Sequence, residues 1–344
     1  MIRFSQTLSQ PKLKQGILAT IGNTPLVQLQ YLYPAYNVSI FAKIESFNPG
    51  GSIKDRTAES LLVDAMKTGQ VQRDTTIIES SSGNMAIGLA QLCLKHGLKL
   101  IVVVDPNVNP QTLKILKTYS AKIEMIDCID DSSYLNVRLA KVQALLKKIP
   151  NSFWPNQYAN LANPQAHYHT MREIAEVLHH DVDFLFAATS TCGTIMGCAE
   201  YIRQHEMHTK VVAVDALGSI IFHQKSGSRL IPGHGAGRAS QLLDRSQVSK
   251  VIHVSDKQCI SGCHHLLHKE AILAGGSSGA VVHAVGHMLP QIPDGSRCAM
   301  ILCDSGERYL DTIYSPEWVE HNFGRVETEM TKLSEWYDTH ENEI

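Results

Sequence analysis

Along most of the chain, short apolar runs alternate with longer segments whose apolar residues recur at helical spacing. The runs at 39–44, 75–79, 99–104, 121–126, 183–188, 210–216, 250–254 and 299–303 are rich in Val, Ile and Phe, and several are apolar without interruption. That is the pattern of strands buried on both faces of a parallel sheet, rather than strands with one wet face. Between them the spacing predicts helices over 55–67, 84–96, 110–119, 135–148, 164–178, 194–204, 256–269 and 280–289. Strand and helix in regular alternation imply βαβ units, so the predicted fold class is α/β.

A length of 344 residues is about twice a typical domain, which predicts two domains. The segment 151–165, rich in Asn, Pro and aromatics, interrupts the alternation and is a candidate seam. Apolar residues are 44% and charged residues 19%, a globular composition. Lys+Arg 31 against Asp+Glu 33 leaves a net charge of -2, too little cation to neutralise a phosphate backbone, so no nucleic-acid partner is expected. Residues 1–15 lack an apolar core of signal-peptide type, and the apolar run at 100–104 is far too short for a bilayer, so no membrane partner is expected either. The eight cysteines sit mostly in apolar patterns, such as Cys93 and Cys303, which points to reduced thiols and a cytoplasmic location. The acidic tail after Phe323 places Met330, Leu333 and Trp336 at helical spacing, as for one packed face.

Four Gly/Ser-rich turns lie beside strand ends or helix starts, the edge of an α/β fold where ligands bind. In 48–56, a Pro-Gly-Gly turn puts Lys54 in the first turn of a helix, where the dipole disfavours a cation. It is either a solvated lysine or an amine of lowered pKa suited to Schiff-base chemistry. In 79–88, Ser80, Ser81, Ser82, Gly83 and Asn84 open a helix and are either ordinary caps or a carboxylate cradle. In 189–197, small hydroxyl-bearing residues at a helix start suit a phosphate or merely cap the helix; it is not a Walker motif. In 274–280, Gly275, Ser277 and Gly279 match the short G-x-S-x-G pattern of a hydrolase elbow, with Asp304 and His321 downstream.

Weaker constellations remain. Gly233, Gly235 and Gly237 fail the dinucleotide fingerprint, because no strand leads in. Cys259, Cys263, His264 and His268 could line one helix face as metal ligands, but seventeen histidines make chance clustering the simpler account, and no metal is expected.

Taken in order, IGNTPLVQL (21–29), NPGGSIKDR, SSGN, NQYANLANP, TCGTIMG, AGGSSGA and SGERYL (305–310) resemble the pyridoxal-phosphate (PLP) enzymes of the cysteine synthase/cystathionine β-synthase family over residues 17–314. The resemblance implies the tryptophan synthase β-subunit-like PLP fold (fold type II), two α/β domains with the cofactor in the cleft between them. The larger, phosphate-binding domain would comprise 15–48 plus 161–322, the smaller mobile substrate domain 49–160, and a tail 323–344. It further implies a homodimeric PLP-dependent transferase in which Lys54 is the Schiff-base lysine and the base at Cα. Asn84 would contact the ring hydroxyl, Ser190, Thr191, Cys192, Gly193 and Thr194 would cradle the phosphate, and Ser305 would face the pyridine nitrogen. Ser81, Ser82, Gly83 and Gln157 would hold the substrate carboxylate, beside Tyr158.

The chain departs from ordinary cysteine synthases in its phosphate loop, STCGT instead of GTGGT, and at Tyr158 and Arg238. Segments 134–143, 167–169, 215–222 and 228–238 resemble the branch that makes L-2,3-diaminopropionate precursors for siderophores. The resemblance then implies β-replacement joining O-phospho-L-serine and L-glutamate through an α-aminoacrylate, giving N-(2-amino-2-carboxyethyl)-L-glutamate and phosphate. A cysteine synthase using O-acetylserine or O-phosphoserine with sulfide is the alternative. Two anionic substrates need cations, and Arg138, Arg229 and above all Arg238 are the candidates.

Overall fold

The computed structural model describes residues 13–127, 134–222 and 225–326. The strands are β1 (Leu26–Leu29), β2 (Ser39–Ile44), β3 (Thr76–Ser80), β4 (Lys99–Val104), β5 (Lys122–Met125), β6 (Ser152–Phe153), β7 (Phe184–Ala188), β8 (Lys210–Ala216), β9 (Lys250–Val254) and β10 (Arg297–Leu302). The helices are α1 (Lys54–Lys67), α2 (Asn84–His96), α3 (Pro110–Thr118), α4 (Tyr134–Lys148), α5 (Ala162–Val177), α6 (Gly193–Gln204), α7 (Asp256–Glu270), α8 (Gly276–Met288) and α9 (Pro316–Phe323).

Two sheets result: a six-stranded one ordered β1-β2-β10-β7-β8-β9 and a four-stranded one ordered β5-β4-β3-β6. Every pairing is parallel except β1 with β2. The continuous apolar runs are explained by double-sided burial. Along β7, Phe184 and Phe186 pack with α7 and α8, while Leu185 and Ala187 pack with α5 and α6. In the smaller sheet Ile77 joins the core under α1 and α2, and Ile78 the core under α4.

Three elements escape the periodicity. β1 is a four-residue antiparallel edge strand with an exposed middle, β6 is two residues long, and α9 is a short helix. α8 starts at Gly276, four residues before its predicted start, because Gly279 lets it press on α7: a Cβ there would strike the Cys259 carbonyl and the Cys263 side chain. The seven described cysteines are free. Among the described residues no helix is long and apolar enough to cross a membrane. Gly324 caps α9, and the tail helix expected around Met330, Leu333 and Trp336 lies outside the described residues.

A buried charge network locks α1 to the larger sheet. Arg56 forks onto Glu45 (Nε–Oε2 2.7 Å, Nη2–Oε1 2.9 Å) and onto Glu173 (Nη1–Oε1 2.7 Å, Nη2–Oε2 2.8 Å). Lys43 adds a 2.6 Å contact to Glu173 and donates to the Thr24 carbonyl at 2.6 Å.

Candidate active site

A cavity of about 830 Å³ opens at the carboxyl ends of the strands, lined from both sheets by the loops after β3, β7, β8 and β10. α1, α2, α6 and α8 all begin at it, with Lys54, Asn84, Thr194 and Ser277 on its wall, and none of the four N-cap residues caps its helix through a side chain, although Ser52 Oγ accepts from Lys54 N at 3.2 Å and Thr191 Oγ1 from Gly193 N at 3.4 Å. By contrast α7 and α9 start on the Ser255 and Ser315 caps. The four N-termini at the cavity leave free N–H groups and four positive dipole ends around one space, which is a setting for anions.

Lys54 is the first residue of α1, half-buried at this wall, and among the described residues it forms no ion pair. Burial lowers its pKa, opposed only by the nearby Cys303, Asp304 and Cys192. The amine is thereby biased toward the neutral form that can act as nucleophile or base.

Asn84 is clamped at both ends of its amide. Its Nδ2 donates to Asp304 Oδ2 at 2.7 Å, and its Oδ1 accepts from Arg308 Nη1 at 2.7 Å. Tyr309 donates to the same Asp304 oxygen at 2.6 Å, and Arg308 also reaches the Gly51 carbonyl at 3.2 Å. Burial pushes the Asp304 carboxyl up, against the bonds from Tyr309 and Asn84. The motif SGERYL contains Arg308 and Tyr309, yet nothing in its spacing showed that they converge on Asn84 some 220 residues upstream.

The turn after β7 supplies the next wall. Ser190, Thr191, Cys192 and Thr194 line it, while Gly193 is buried at the start of α6. Asn163 Nδ2 donates to Thr191 Oγ1 at 3.0 Å and to the Gln157 carbonyl at 2.7 Å, tying this turn to the Gln157–Tyr158 segment, which also lines the cavity. Cys192 adopts φ 66°, a left-handed conformation that favours glycine and costs a residue with a Cβ about 1–2 kcal/mol. Opposite, Ser81, Ser82 and Gly83 precede α2, with Ser82 Oγ accepting from Arg138 Nη1 at 3.2 Å. Arg138 also pairs with Asp105 at 3.1 Å.

A family model for pyridoxal-phosphate dependent enzymes matches residues 17–304. The chain belongs to this family. Solved structures agree. An O-acetylserine dependent cystathionine beta-synthase from Helicobacter pylori is 30% identical at TM-score 0.82, the match covering 89% of this chain and 100% of that one. O-acetyl serine sulfhydrylase isoform 3 from Entamoeba histolytica is 30% identical at TM-score 0.84, over 90% and 95% of the two chains. An O-ureido-L-serine synthase is 28% identical at TM-score 0.83, over 94% and 100%. This is the fold type II arrangement of PLP-dependent enzymes.

The residues present fit PLP. The start of α6 with the Ser190, Thr191 and Thr194 hydroxyls can take a phosphate, Lys54 offers an amine of lowered pKa, and the clamped Asn84 amide still has its second N–H to offer on the same wall. Two expected site residues of this PLP-dependent enzyme are displaced. Ser305 does not line the cavity; it faces a separate depression with Phe47, Pro49 and Glu307. The Ala274–Ser305 bridge places the two Ser/Gly turns side by side, and it is Ser277, at the start of α8, that reaches the cavity wall. Arg238 also lies off the wall, its guanidinium 4.6 Å from the Tyr158 ring centroid, whereas Arg138 and Arg229 line the cavity. Arg308 does as well, an arginine the motifs did not single out for substrate.

The other constellations disperse. His321 is exposed on α9 and Asp304 is engaged by Asn84 and Tyr309, so no Ser-His-Asp triad forms around Ser277. Cys263 donates to the Gly275 carbonyl, His264 bonds the Ile313 carbonyl at 3.0 Å, and Cys259 faces His234, so these side chains do not converge on one point.

Behind the serine turn, Glu79 is buried, its Oε1 accepting from Ser80 N at 2.8 Å and Trp154 Nε1 at 3.1 Å while Oε2 has no partner. Burial pushes its carboxyl up to about 7, against the bonds from Trp154 and Ser80. A carboxyl whose pKa is raised on folding holds its proton longer in the native state, so stability falls as pH rises from the unfolded value of 4.5 to about 7. Glu79→Gln is therefore expected to add less than about 1 kcal/mol at pH 5 and about 3 kcal/mol at pH 8. Urea unfolding at both pH values checks this. Some slope will persist, because burial also pushes Asp55 up to about 7.

Proposed function

We propose that the chain is a β-replacement enzyme that joins O-phospho-L-serine and L-glutamate, giving N-(2-amino-2-carboxyethyl)-L-glutamate and phosphate as a precursor of L-2,3-diaminopropionate. The observation that carries this reading is the charge of the cavity: three arginines, Arg138, Arg229 and Arg308, stand with four helix starts around one space. An uncharged leaving group and a small sulfur nucleophile would not require so much positive charge, whereas a phosphate and a dicarboxylate do.

Bound PLP would supply the electron sink that stabilises negative charge at the substrate Cα. Ser190–Thr194 and the start of α6 would hold its phosphate, Asn84 its ring hydroxyl, and Ser277 rather than Ser305 its ring nitrogen. Ser81, Ser82, Gly83 and Gln157 would take the α-carboxylate. Arg138 and Tyr158 would steady the phosphate ester, with Arg238 holding the Tyr158 ring through its stacking contact. Lys54 Nζ would remove the Cα proton as the Cβ–O bond breaks and phosphate leaves, then return a proton to Cα once the nucleophile's amine has bonded to Cβ. The walls from both sheets would exclude water during the lifetime of the unsaturated substrate left once phosphate has gone. We further propose that residues 49–160 form the smaller, mobile domain closing on 15–48 plus 161–322, and that the chain acts as a cytoplasmic homodimer.

The test is spectroscopic. Purified protein reconstituted with PLP should change its absorbance on addition of O-phospho-L-serine and release phosphate, and L-glutamate should reverse the change with formation of the C–N product by mass spectrometry. Reversal by sulfide but not by L-glutamate would make the chain a cysteine synthase. A response to O-acetylserine but not O-phospho-L-serine would overturn the leaving group.

A further inference from the structure

We infer that Arg229 selects the nucleophile, binding the side-chain carboxylate of a dicarboxylic amine; this rests on the β-replacement reading above and divides its two anions between different arginines. Of the arginines on the cavity wall, two already have partners. Arg138 pairs with Asp105 and Ser82, and Arg308 spends its donors on Asn84 and the Gly50 and Gly51 carbonyls. Arg229 is different. Its Nη1 makes one long bond, 3.3 Å to the His234 carbonyl, its Nε is buried without a partner, and among the described residues no carboxylate pairs with it.

A partly buried guanidinium with five donors and one weak bond is an incomplete site. The chain around it is shaped to keep it there. Gly235 has φ 71°, and a Cβ at that position would stand 2.6 Å from Arg229 Nη1, so the absence of a side chain there leaves room for the guanidinium. Arg229 belongs to the loop following β8 of the six-stranded sheet, whereas Ser81–Gly83 and Arg138 come from the four-stranded side. The first substrate's anions are thereby met on one wall and the incoming carboxylate on another, with the guanidinium fork matched to it.

The test compares PLP-reconstituted wild-type protein with Arg229→Gln and Arg229→Lys, titrated with O-phospho-L-serine, then L-glutamate, and separately with glutarate, a dicarboxylate that cannot react. In Arg229→Gln the L-glutamate needed for half-reversal should rise by about 30-fold or more, with the O-phospho-L-serine midpoint and PLP content unchanged. Thermal stabilisation by glutarate should be lost with it, and Arg229→Lys should recover only part of each. Unchanged L-glutamate and glutarate responses would overturn the assignment, as would a shifted O-phospho-L-serine midpoint with L-glutamate unaffected. If wild-type protein responds to O-phospho-L-serine but never to L-glutamate, the proposed reaction fails. Glutarate stabilisation that depends on Arg229 would then still support a dicarboxylate site, and its absence would remove that too.

Discussion

Lys54→Ala is expected to cut turnover by about 10³-fold or more while leaving the fold intact, because no other amine on the cavity wall can replace both of its roles. Lys54 is the only lysine lining the cavity among the described residues. Its ammonium form is disfavoured by burial, and among the described residues it makes no ion pair whose loss would unfold the chain. Its position at the start of α1 adds to this, since a positive dipole end repels a cation and leaves a neutral amine untroubled. Borohydride treatment of the reconstituted wild type should fix the cofactor on the peptide that carries Lys54, and the variant should show no such mass shift. Cofactor retained noncovalently, with partial rescue by added methylamine, would separate the loss of the amine from loss of binding. A variant that keeps normal turnover would overturn Lys54 as the reactive group.

The parts legible from the sequence are those whose physics is local or periodic. The runs at 39–44, 99–104, 210–216 and 250–254 match β2, β4, β8 and β9 residue for residue, because each is a mostly apolar run that opens on a polar residue, Ser39, Lys99, Lys210 or Lys250, which marks its start. β1 and β6 carry too few residues to show a period, and they exist because a neighbouring strand pairs with them. The start of α8 was hidden by its own composition. Gly276, Ser277, Ser278 and Gly279 are poor helix formers, and the contact with α7 overrides that preference.

At the site the same division holds. Motif order put Lys54, Asn84, the Ser81–Gly83 turn and the Ser190–Thr194 loop around one cavity wall, since each is tied to a strand end or helix start. Which of two hydroxyls in adjacent turns, Ser277 or Ser305, faces the cavity depends on how the Ala274–Ser305 bridge presents them. Which arginine of one glycine-rich loop reaches the wall is likewise set by tertiary contacts: Arg229 lines the cavity, while the Arg238 guanidinium lies over the Tyr158 ring. Both are tertiary facts with no local signature. The clamp of Asp304 and Arg308 on Asn84 is a third, joining residues far apart in sequence through single side-chain contacts.

The second large effect is expected away from the cavity wall, at Arg56. Arg56→Met would leave Lys43 on the half-buried Glu173 and strand the fully buried Glu45 with only the neutral Thr24 and Asn48 side chains, so one negative charge would lack compensation. Removing one partner of such a network costs about 3–5 kcal/mol, since the desolvation of the stranded charge is no longer offset. Burial works against the charge of Glu173, yet the hydrogen bonds from Arg56 and Lys43 hold its carboxyl down at about 2. A carboxyl depressed on folding contributes stability that is present above the unfolded value of 4.5 and lost as pH falls toward the folded one. The variant should therefore unfold at lower urea and at higher pH on the acid side than the wild type. Arg56→Lys keeps the charge but not the fork, and should fall between the two. Because Arg56 follows Lys54 by two residues on α1, the loss should reach the site before global unfolding: cofactor occupancy of Arg56→Met should decline at urea concentrations where the backbone signal is still native. Coincident loss of both signals would show that α1 is held by the apolar contacts of Ala58, Leu61, Leu62 and Ala65, and that the charge network does not separately position Lys54.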